Sequence, residues 1–396
     1  MSKTPMAIDD PPLGRRTFVK KAVMGTCALA WGAYTIRDLV RESQRAGLRM
    51  GFPNDAPAEL WRWSREADWY EPQGRFVKCV LCPHECVLGE NDRGFCRTRV
   101  VKNGTLHTVT YGNPCAIHID PVEKKPLYHF LPGAPIFSIA TAGCNLRCLN
   151  CQNWEISQAK PEDTDNADLF PDQLVEVTAA SSIPLIAYTY SEPLIYYEYV
   201  RDTAALARER GIRNVLVTAG YISERPLRAL CRVTDAATVD LKGFNEAVYK
   251  KLTGARLSPI LRALEVMREE GVWIELSRLV VPTHSDDIDD IRALCRWVVR
   301  VLGPGTPLHF LRFHADYRLK GLPPTPVEVL DAARKIAMDA GLQFVFIGNV
   351  PGHEGQDTTC PQCRRTIIAR RGLQVASNLL DQGRCPCGET IPGVWA

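Results

Sequence analysis

Three cysteines near the middle of the chain are the residues whose spacing points most directly to chemistry. Cys144, Cys148 and Cys151 are separated by three and then by two residues, in a loop that follows the apolar run 136–140. Three thiolates cannot pair off evenly as disulfides, but they can bind three irons of a [4Fe–4S] cluster and leave the fourth iron open to a small molecule. With 15 cysteines in 396 residues, this spacing arises by chance only roughly 0.02 times per chain. A zinc site completed by one distant ligand is the remaining alternative.

The sequence around these cysteines resembles the signature of radical S-adenosylmethionine (SAM) enzymes. Gly143-Cys144-Asn145 and Cys151-Gln152-Asn153-Trp154 resemble the branch related to pyruvate formate-lyase activating enzyme. More narrowly, they resemble the radical SAM member of the AmmeMemoRadiSam system. The resemblance implies a [4Fe–4S] cluster, SAM on the open iron, and reductive cleavage of SAM to a 5′-deoxyadenosyl radical that abstracts hydrogen. The residue before the last cysteine, usually aromatic in this family and close to the adenine, is Asn150 here.

Apolar runs alternate with helical patterns between residues 136 and 347, and this alternation predicts an α/β fold with a parallel sheet. Seven strands are predicted, over residues 136–140, 184–190, 214–218, 237–241, 272–281, 307–313 and 342–347. The resemblance implies that residues 126–348 form a partial TIM-type (β/α)6 radical SAM barrel. In such barrels the chemistry gathers at the carboxyl ends of the strands.

Two helix starts are marked by local signals in this region. Ser258-Pro259 predicts an N-cap followed by the first helical residue. Thr325 and Glu328, three residues apart, predict a capping box, and Gly341 predicts the end of the same helix.

Three residues at predicted strand ends match SAM-contacting positions of the activating enzymes, according to the same resemblance. Glu192 lies where the family binds the SAM amino group, and its alternative is a solvated glutamate at a helix N-terminus. Lys242, in Asp240-Leu241-Lys242, matches a lysine that contacts the SAM carboxylate or ribose, and its alternative is a plain salt bridge with Asp240. His314 matches a SAM-contacting histidine, and its alternative is a structural role. With Asn150, these residues form the predicted SAM site.

A second cysteine group lies in the segment 71–125. Cys79, Cys82, Cys86 and Cys96 offer enough thiolates to complete a tetrahedral site. Zinc and an auxiliary iron–sulfur cluster both fit, and because the spacing matches neither common ferredoxin pattern, zinc is favoured. A pair of disulfides is the alternative. The block also resembles the cysteine-rich segment of the AmmeMemoRadiSam enzymes.

A third cysteine group lies in the tail, residues 351–396. Cys360, Cys363, Cys385 and Cys387 form two knuckles about twenty residues apart, which predicts a zinc ribbon. The second knuckle is one residue shorter than the usual spacing. A surface dithiol pair is the alternative.

The leader, residues 1–50, resembles a twin-arginine export signal, with Arg15-Arg16 followed by the apolar stretch 22–36. The implied chemistry favours the cytoplasm instead, where SAM and low-potential reductants are found. Export or membrane tethering through the leader is therefore the alternative localisation. A net charge of +3 gives no indication of a nucleic-acid partner.

These observations predict a radical SAM enzyme that resembles the glycyl-radical activating enzymes. Its expected cofactors are a [4Fe–4S] cluster, SAM and zinc, and its expected electron donor is a flavodoxin or ferredoxin. The sequence does not identify the substrate, although the resemblance favours a protein or peptide over a small molecule. Two alternatives from other classes are an exported iron–sulfur electron-transfer protein and a zinc-ribbon adaptor.

Overall fold

The structure, a computed structural model, describes residues 59–396, so the predicted leader lies outside the described residues. A short 3₁₀ helix (Glu59–Trp63) comes first, and six short strands follow it. They are β1 (Arg65–Glu66), β2 (Tyr70–Gln73), β3 (Phe76–Cys79), β4 (Val87–Leu88), β5 (Arg99–Lys102) and β6 (Thr105–Thr108). These strands form two antiparallel sheets, in the orders β1-β6-β5 and β2-β3-β4.

An eight-stranded sheet forms the centre of the molecule. Its strands are β7 (Ala116–Pro121), β8 (Pro135–Ala140), β9 (Leu185–Tyr188), β10 (Arg213–Thr218), β11 (Ala236–Asp240), β12 (Trp273–Val280), β13 (Leu308–Arg312) and β14 (Val345–Gly348). They lie in sequence order, with β7 and β14 at the two edges. Strands β8 to β14 pair in parallel, whereas β7 is antiparallel to β8. The predicted α/β class and all seven predicted strands are confirmed, and the antiparallel edge strand β7 was not predicted.

Eight α-helices lie in the described part of the chain. They are α1 (Trp154–Ser157), α2 (Pro171–Ala180), α3 (Tyr197–Glu209), α4 (Glu224–Cys231), α5 (Glu246–Thr253), α6 (Ser258–Glu269), α7 (Ile288–Val301) and α8 (Val327–Asp339). Helix α6 buries Ile260, Ala263, Leu264, Val266 and Met267, which recur at helical spacing. Its N-cap is Leu257, so the predicted cap Ser258 is the first helical residue instead. Asn245 is the N-cap of helix α5, and its side chain accepts a hydrogen bond from the N–H of Ala247 at 2.9 Å.

The capping box predicted for α8 is not present. Thr325 makes no cap; its hydroxyl donates to the carbonyl of Val280 at 2.6 Å and accepts from the N–H of Phe313 at 2.9 Å. Thr325 thus ties the chain after β13 to the end of β12, and helix α8 follows Pro326, its N-cap, without a side-chain cap. The Thr325 hydroxyl, which the local sequence pattern predicted to cap the helix, makes tertiary hydrogen bonds instead.

The tail packs against the open side of the sheet through an antiparallel unit. It contains β15 (Thr358–Thr359), β16 (Thr366–Arg371) and β17 (Gln374–Asn378). Arg370, which is buried, donates to the carbonyl of Tyr128 at 2.7 Å and lies 4.0 Å above its ring. The tail cysteines Cys360 and Cys385 share an apolar cluster with Phe344 and Phe346.

A buried carboxylate inside the barrel fixes the linker that joins β7 to β8. Glu275 accepts from the N–H of Tyr128 and of His129, at 2.9 and 2.7 Å, and lies 2.8 Å from Nε2 of His309. His129 in turn donates from Nδ1 to the carbonyl of Pro392 at 2.8 Å, and its own carbonyl accepts from the N–H of Val394 at 2.7 Å. Residues far apart in sequence therefore hold this linker against β12 and the tail.

The helices of residues 59–396 are short or amphipathic. No helix in this part of the chain has the length and apolar character that crossing a bilayer requires.

Candidate active site

The three central cysteines lie in the loop after β8, where they line a cavity of about 1050 Å³. The N–H of Leu146 donates to Sγ of Cys144 at 3.3 Å, and the Ser157 hydroxyl lies 3.1 Å from Sγ of Cys151. Burial raises the pKa of the Cys148 thiol to about 12. Without a metal, the Cys148 side chain therefore stays a neutral thiol. A bound metal would supply positive charge and so favour the thiolate.

The spacing of these thiols favours a cluster over a single ion. Thiolates that share one zinc lie about 3.8 Å apart, because the Zn–S bonds are about 2.3 Å long and tetrahedral. Within residues 59–396, Cys144, Cys148 and Cys151 belong to no group of three ligand atoms that all lie within 4.8 Å of one another. In a [4Fe–4S] cube each thiolate binds a different corner, so the sulfurs stand farther apart. The cysteines fit the cluster that the resemblance implies.

Gly143 allows this loop to approach the N-terminal segment. Its φ is +95°, and a Cβ there would lie 2.5 Å from Cγ2 of Thr98 and 2.6 Å from the carbonyl oxygen of Cys96. Only glycine tolerates both the left-handed backbone and the close contact.

Asn150 occupies the wall of the same cavity. Its side chain is 4% exposed, and its Oδ1 atom has no hydrogen-bond partner. A buried acceptor without a donor is uncommon in proteins. An N–H or O–H group of a bound ligand would satisfy it, so Asn150 fits the predicted position beside SAM.

Glu192 lies in the cavity wall, but it is already engaged by the protein. Its carboxylate accepts from the hydroxyl of Thr218, from the N–H of Ala219 at 2.9 Å and from the N–H of Leu194 at 3.2 Å. Burial raises its pKa to about 7 despite these bonds. Glu192 therefore caps the 3₁₀ helix Pro193–Tyr196. Its side chain is buried, so it is not the solvated glutamate at a helix N-terminus that was the alternative to SAM binding.

Lys242 and Asp240 form the ion pair that the alternative prediction described, at 2.7 Å. Both residues also line the cavity, Asp240 at the end of β11. Burial alone would lower the pKa of Lys242, but Asp240 raises it above its ordinary value. Lys242 is consequently a cation in the cavity wall, and the pair is compatible with an additional contact to a carboxylate.

His314 lies just beyond the end of β13 and lines the cavity with Arg312. A regular two-residue strand period would place Arg312 and His314 on the same face as Phe310. Instead, Phe310 is part of the core, whereas His309 and Leu311 line the cavity. Arg312 and His314 reach the cavity because the strand ends at Arg312.

Sequence reasoning did not single out a cluster of charged and phenolic groups in the cavity. The buried Lys125 donates to Asp120 at 2.6 Å, and Asp120 also accepts from the hydroxyl of Tyr190. Burial lowers the pKa of Lys125 to about 8. Tyr190 has a φ of +63° at the end of β9, a conformation that is uncommon outside glycine and concentrated at functional sites. The signal that could have found the cluster is the charged run 120–125, which carries Asp120, Lys124 and Lys125.

The tail cysteines form a compact ligand group. Sγ of Cys360 lies 3.7 Å from that of Cys387, and Sγ of Cys363 lies 3.7 Å from that of Cys385. All four sulfurs lie within 4.8 Å of one another. These separations match the roughly 3.8 Å expected for four thiolates around one zinc, so the short second knuckle does not prevent tetrahedral closure.

The N-terminal cysteines also come together, although less closely. Cys79, Cys82, Cys86 and Cys96 line one small cavity, and no disulfide joins them. In the described structure, no three of their sulfur atoms all lie within 4.8 Å of one another, whereas the four sulfurs of the tail group do.

Comparisons with known proteins agree with this site. The family model of the radical SAM superfamily matches residues 138–298. An uncharacterised protein of Methanocaldococcus jannaschii is 45% identical over 331 residues, which cover 83% of this chain and 98% of that protein. The pyruvate formate-lyase 1-activating enzyme of Escherichia coli K12 is 25% identical over 222 residues, which cover 52% of this chain and 89% of that enzyme.

Two solved structures resemble the chain distantly. A radical SAM methyltransferase from Sphaerobacter thermophilus has a TM-score of 0.43 and 12% identity, over 87% of this chain and 97% of that one. A domain of pyruvate-formate lyase-activating enzyme from Bacteroides vulgatus has a TM-score of 0.37 and 18% identity, over 41% of this chain and 98% of that one. Likeness at this level identifies no function.

Residues 138–298 thus form a radical SAM domain, and the chain is homologous to the pyruvate formate-lyase activating enzymes. It is an enzyme of this class, related to the glycyl-radical activating enzymes. Binding of an iron–sulfur cluster and of SAM are properties of this family. An electron-transfer protein or a zinc-ribbon adaptor is therefore not an adequate description of the whole chain. The narrower resemblance to the AmmeMemoRadiSam enzymes stays a prediction.

Proposed function

We propose that Cys144, Cys148 and Cys151 bind a [4Fe–4S] cluster and that SAM occupies the adjoining cavity. The observation that carries the proposal is the position of three thiols, too widely spaced for one ion, in the wall of a cavity of about 1050 Å³. When bound and reduced, the cluster supplies the electron that cleaves SAM and generates a radical able to abstract hydrogen.

The residues of the chain would bind and orient SAM. Glu192 offers a carboxylate for the SAM ammonium, and Lys242 offers an ammonium for the SAM carboxylate, each a charge-assisted contact. Asn150 offers its unpartnered Oδ1 to a donor on the ligand. His314 and Arg312 line the cavity beyond these groups.

The substrate that we propose is a protein or peptide, because the activating enzymes by name act on another enzyme. Lys124, Lys125 and Tyr190 also line the cavity and could contact such a substrate. A small-molecule substrate is the second candidate, since the cavity volume is close to the upper end of the small-molecule range, about 300–1,000 Å³. The proposed reductant is a low-potential flavodoxin or ferredoxin, which places the reaction in the cytoplasm.

The tail group, Cys360, Cys363, Cys385 and Cys387, is proposed to bind one structural zinc. The sulfur separations of 3.7 Å support this assignment. The tail hairpin also contributes Gly372 and Leu373 to the cavity wall. The zinc would therefore stabilise one border of the substrate cavity.

The decisive experiment is anaerobic reconstitution, reduction with dithionite in the presence of SAM, and assay of 5′-deoxyadenosine. Wild-type protein should produce 5′-deoxyadenosine, and Cys144→Ala, Cys148→Ala and Cys151→Ala should each produce none. Cys231→Ala, a buried cysteine in α4 outside the three groups, is the matched control and should stay active. Retained SAM cleavage in any of the three variants would contradict the proposal.

A further inference from the structure

The N-terminal cysteine quartet, Cys79, Cys82, Cys86 and Cys96, is placed around one cavity by a single local fold. Strand β3 ends at Cys79, whose N–H donates to the carbonyl of Cys86 at 2.9 Å, just before β4. Cys96 follows Gly94 and Phe95 and precedes β5. We propose that this quartet binds a second [4Fe–4S] cluster, fully ligated by protein, which passes electrons to the cluster of the central cysteines.

A buried arginine with two unsatisfied N–H donors lies in the wall of the same cavity. Arg99 is 1% exposed, and its Nη2 donates to both carboxylate oxygens of Glu198, at 2.7 and 2.9 Å. Its Nε and Nη1 atoms have no hydrogen-bond partner. A buried guanidinium with unused donors requires an acceptor of negative charge. Thiolates on a metal centre carry that charge, whereas neutral thiols or disulfides do not.

The spacing of the sulfurs indicates which metal centre is bound. The tail quartet, with sulfurs 3.7 Å apart, has the geometry of four thiolates on one ion. The N-terminal quartet lacks even three sulfurs within 4.8 Å of one another, and the central cysteines share this property. Since the central cysteines belong to a family that binds a cluster, the wider spacing indicates a cluster in the quartet as well. This reverses the preference for zinc that the cysteine spacing in the sequence suggested.

The quartet lies directly beside the loop of the central cysteines. The carbonyl of Cys96 would lie only 2.6 Å from a Cβ on Gly143. His84, between Cys82 and Cys86, donates from Nε2 to the carbonyl of Asn145 at 2.8 Å. The guanidinium of Arg147 lies 3.8 Å above the ring of Phe95. Residues next to the N-terminal cysteines are therefore in direct contact with residues next to the central cysteines.

Full ligation determines what the second cluster can do. With four cysteines, no iron is open to SAM, so the cluster can accept and donate electrons but cannot take part in SAM cleavage. It would accept one electron from the low-potential flavodoxin or ferredoxin, which is oxidised, and donate one electron to the central cluster. The relay of electrons to the central cluster rests on the proposed function. The presence of a cluster on the N-terminal quartet does not.

The test uses the full chain with Cys144, Cys148 and Cys151 all replaced by alanine, reconstituted anaerobically. This variant should retain about four irons and one zinc, and after reduction with dithionite it should show the electron paramagnetic resonance of a reduced cluster. A variant with two zincs and no iron would overturn the proposal. Since the variant still carries the quartet, its iron content reports on the second cluster alone.

Two measurements keep the test independent of that variant. Wild-type protein should bind about eight irons and one zinc, while four irons and two zincs would overturn the proposal. Cys86→Ser, at a partly exposed cysteine, should lose about four irons, while Cys231→Ser should lose none. In fully reduced wild-type protein the two clusters should broaden each other's resonance. Unbroadened, independent signals would contradict the relay, and loss of 5′-deoxyadenosine formation alone would concern only the proposed function.

Discussion

The carbonyl oxygen of Cys96 lies against the α-carbon of Gly143, so that a Cβ at Gly143 would approach it to 2.6 Å. Two cysteine-bearing segments that are far apart in sequence thus meet at a point where only a hydrogen atom fits. The contact means that the N-terminal segment forms part of the wall that supports the central cysteine loop.

Replacing Gly143 by alanine should therefore displace the central loop. We expect Gly143→Ala to lose the iron bound by Cys144, Cys148 and Cys151, because the new methyl group clashes with Thr98 and Cys96. Gly254→Ala is the matched control, since Gly254 has a φ of +75° but its nearest contact is 3.6 Å away. It should lower the free energy of unfolding by about 1–2 kcal/mol and keep its iron. Equal iron content in the two variants would contradict the explanation.

Glu192→Gln tests whether the buried carboxylate binds SAM or only caps a helix. Loss of the charge should weaken SAM binding by about 1.5–3 kcal/mol, the contribution of a charge-assisted hydrogen bond. Thr218→Val removes one of the hydrogen bonds that lower the pKa of Glu192, so at pH 7 it should weaken SAM binding in the same direction as Glu192→Gln but by less. The measurement is equilibrium SAM binding to the oxidised, reconstituted protein. Unchanged affinity in Glu192→Gln would leave the residue with a structural role alone.

Zinc removal should loosen the tail and alter the central cavity. We expect Cys385→Ser to lose one zinc, because the sulfurs of the tail group surround a single position. The ribbon then unfolds, since structural zinc contributes about 10–16 kcal/mol to such small units. Zinc analysis and limited proteolysis of residues 351–396 provide the measurement, with Cys231→Ser as control. A Cys385→Ser protein that retains its zinc would show that the tail group is not the site.

The stability of the protein should depend on pH through His129. Burial lowers the pKa of His129 from its ordinary value of 6.5 to about 4. Because the unfolded chain binds the proton more readily, stability is full above pH 6.5 and is lost as the pH falls toward 4. The contribution of His129 should drop by about 2 kcal/mol between pH 7 and pH 5.

His129→Asn isolates that contribution. Asparagine keeps an N–H donor for the carbonyl of Pro392 but does not titrate. Denaturant unfolding of both proteins at pH 7 and pH 5 gives the comparison, and the variant should lose less stability on acidification. The carboxyl of Glu275 does not interfere, because its pKa lies below its ordinary value of 4.5. An identical pH dependence in the two proteins would refute the assignment.

The sequence predicted the strands of the barrel well because they are buried on both faces. The four residues of β9, for example, are all buried, and such strands appear as continuous apolar runs. Strand β7 was missed since it lies at the sheet edge, where the polar residues His118 and Asp120 alternate with apolar ones and break the continuous apolar run. The α8 capping box was wrong because a distant strand engages Thr325 instead.

The three cysteine groups were recognisable in the sequence because the spacing within each motif is local, and their role as metal ligands stays a prediction. The sequence could not reveal that the tail sulfurs are compact and the N-terminal sulfurs are not, since this depends on how turns fold around them. Neither could it show that Asn150 keeps an unpartnered acceptor or that Tyr190, Asp120 and Lys125 meet. These relationships join residues from separate strands and linkers.

The contact between the tail and the linker that joins β7 to β8 has a kinetic consequence. His129 contacts Pro392 across 263 positions of sequence, and Glu275 holds the linker that positions His129. Such long-range contacts form slowly, because the intervening chain must first be synthesised and brought together. Until then the apolar surface around Phe344 and Phe346 has no cover from the tail, and partly folded chains with exposed apolar surface tend to aggregate. Recombinant production should therefore benefit from slow expression at low temperature and from abundant chaperones.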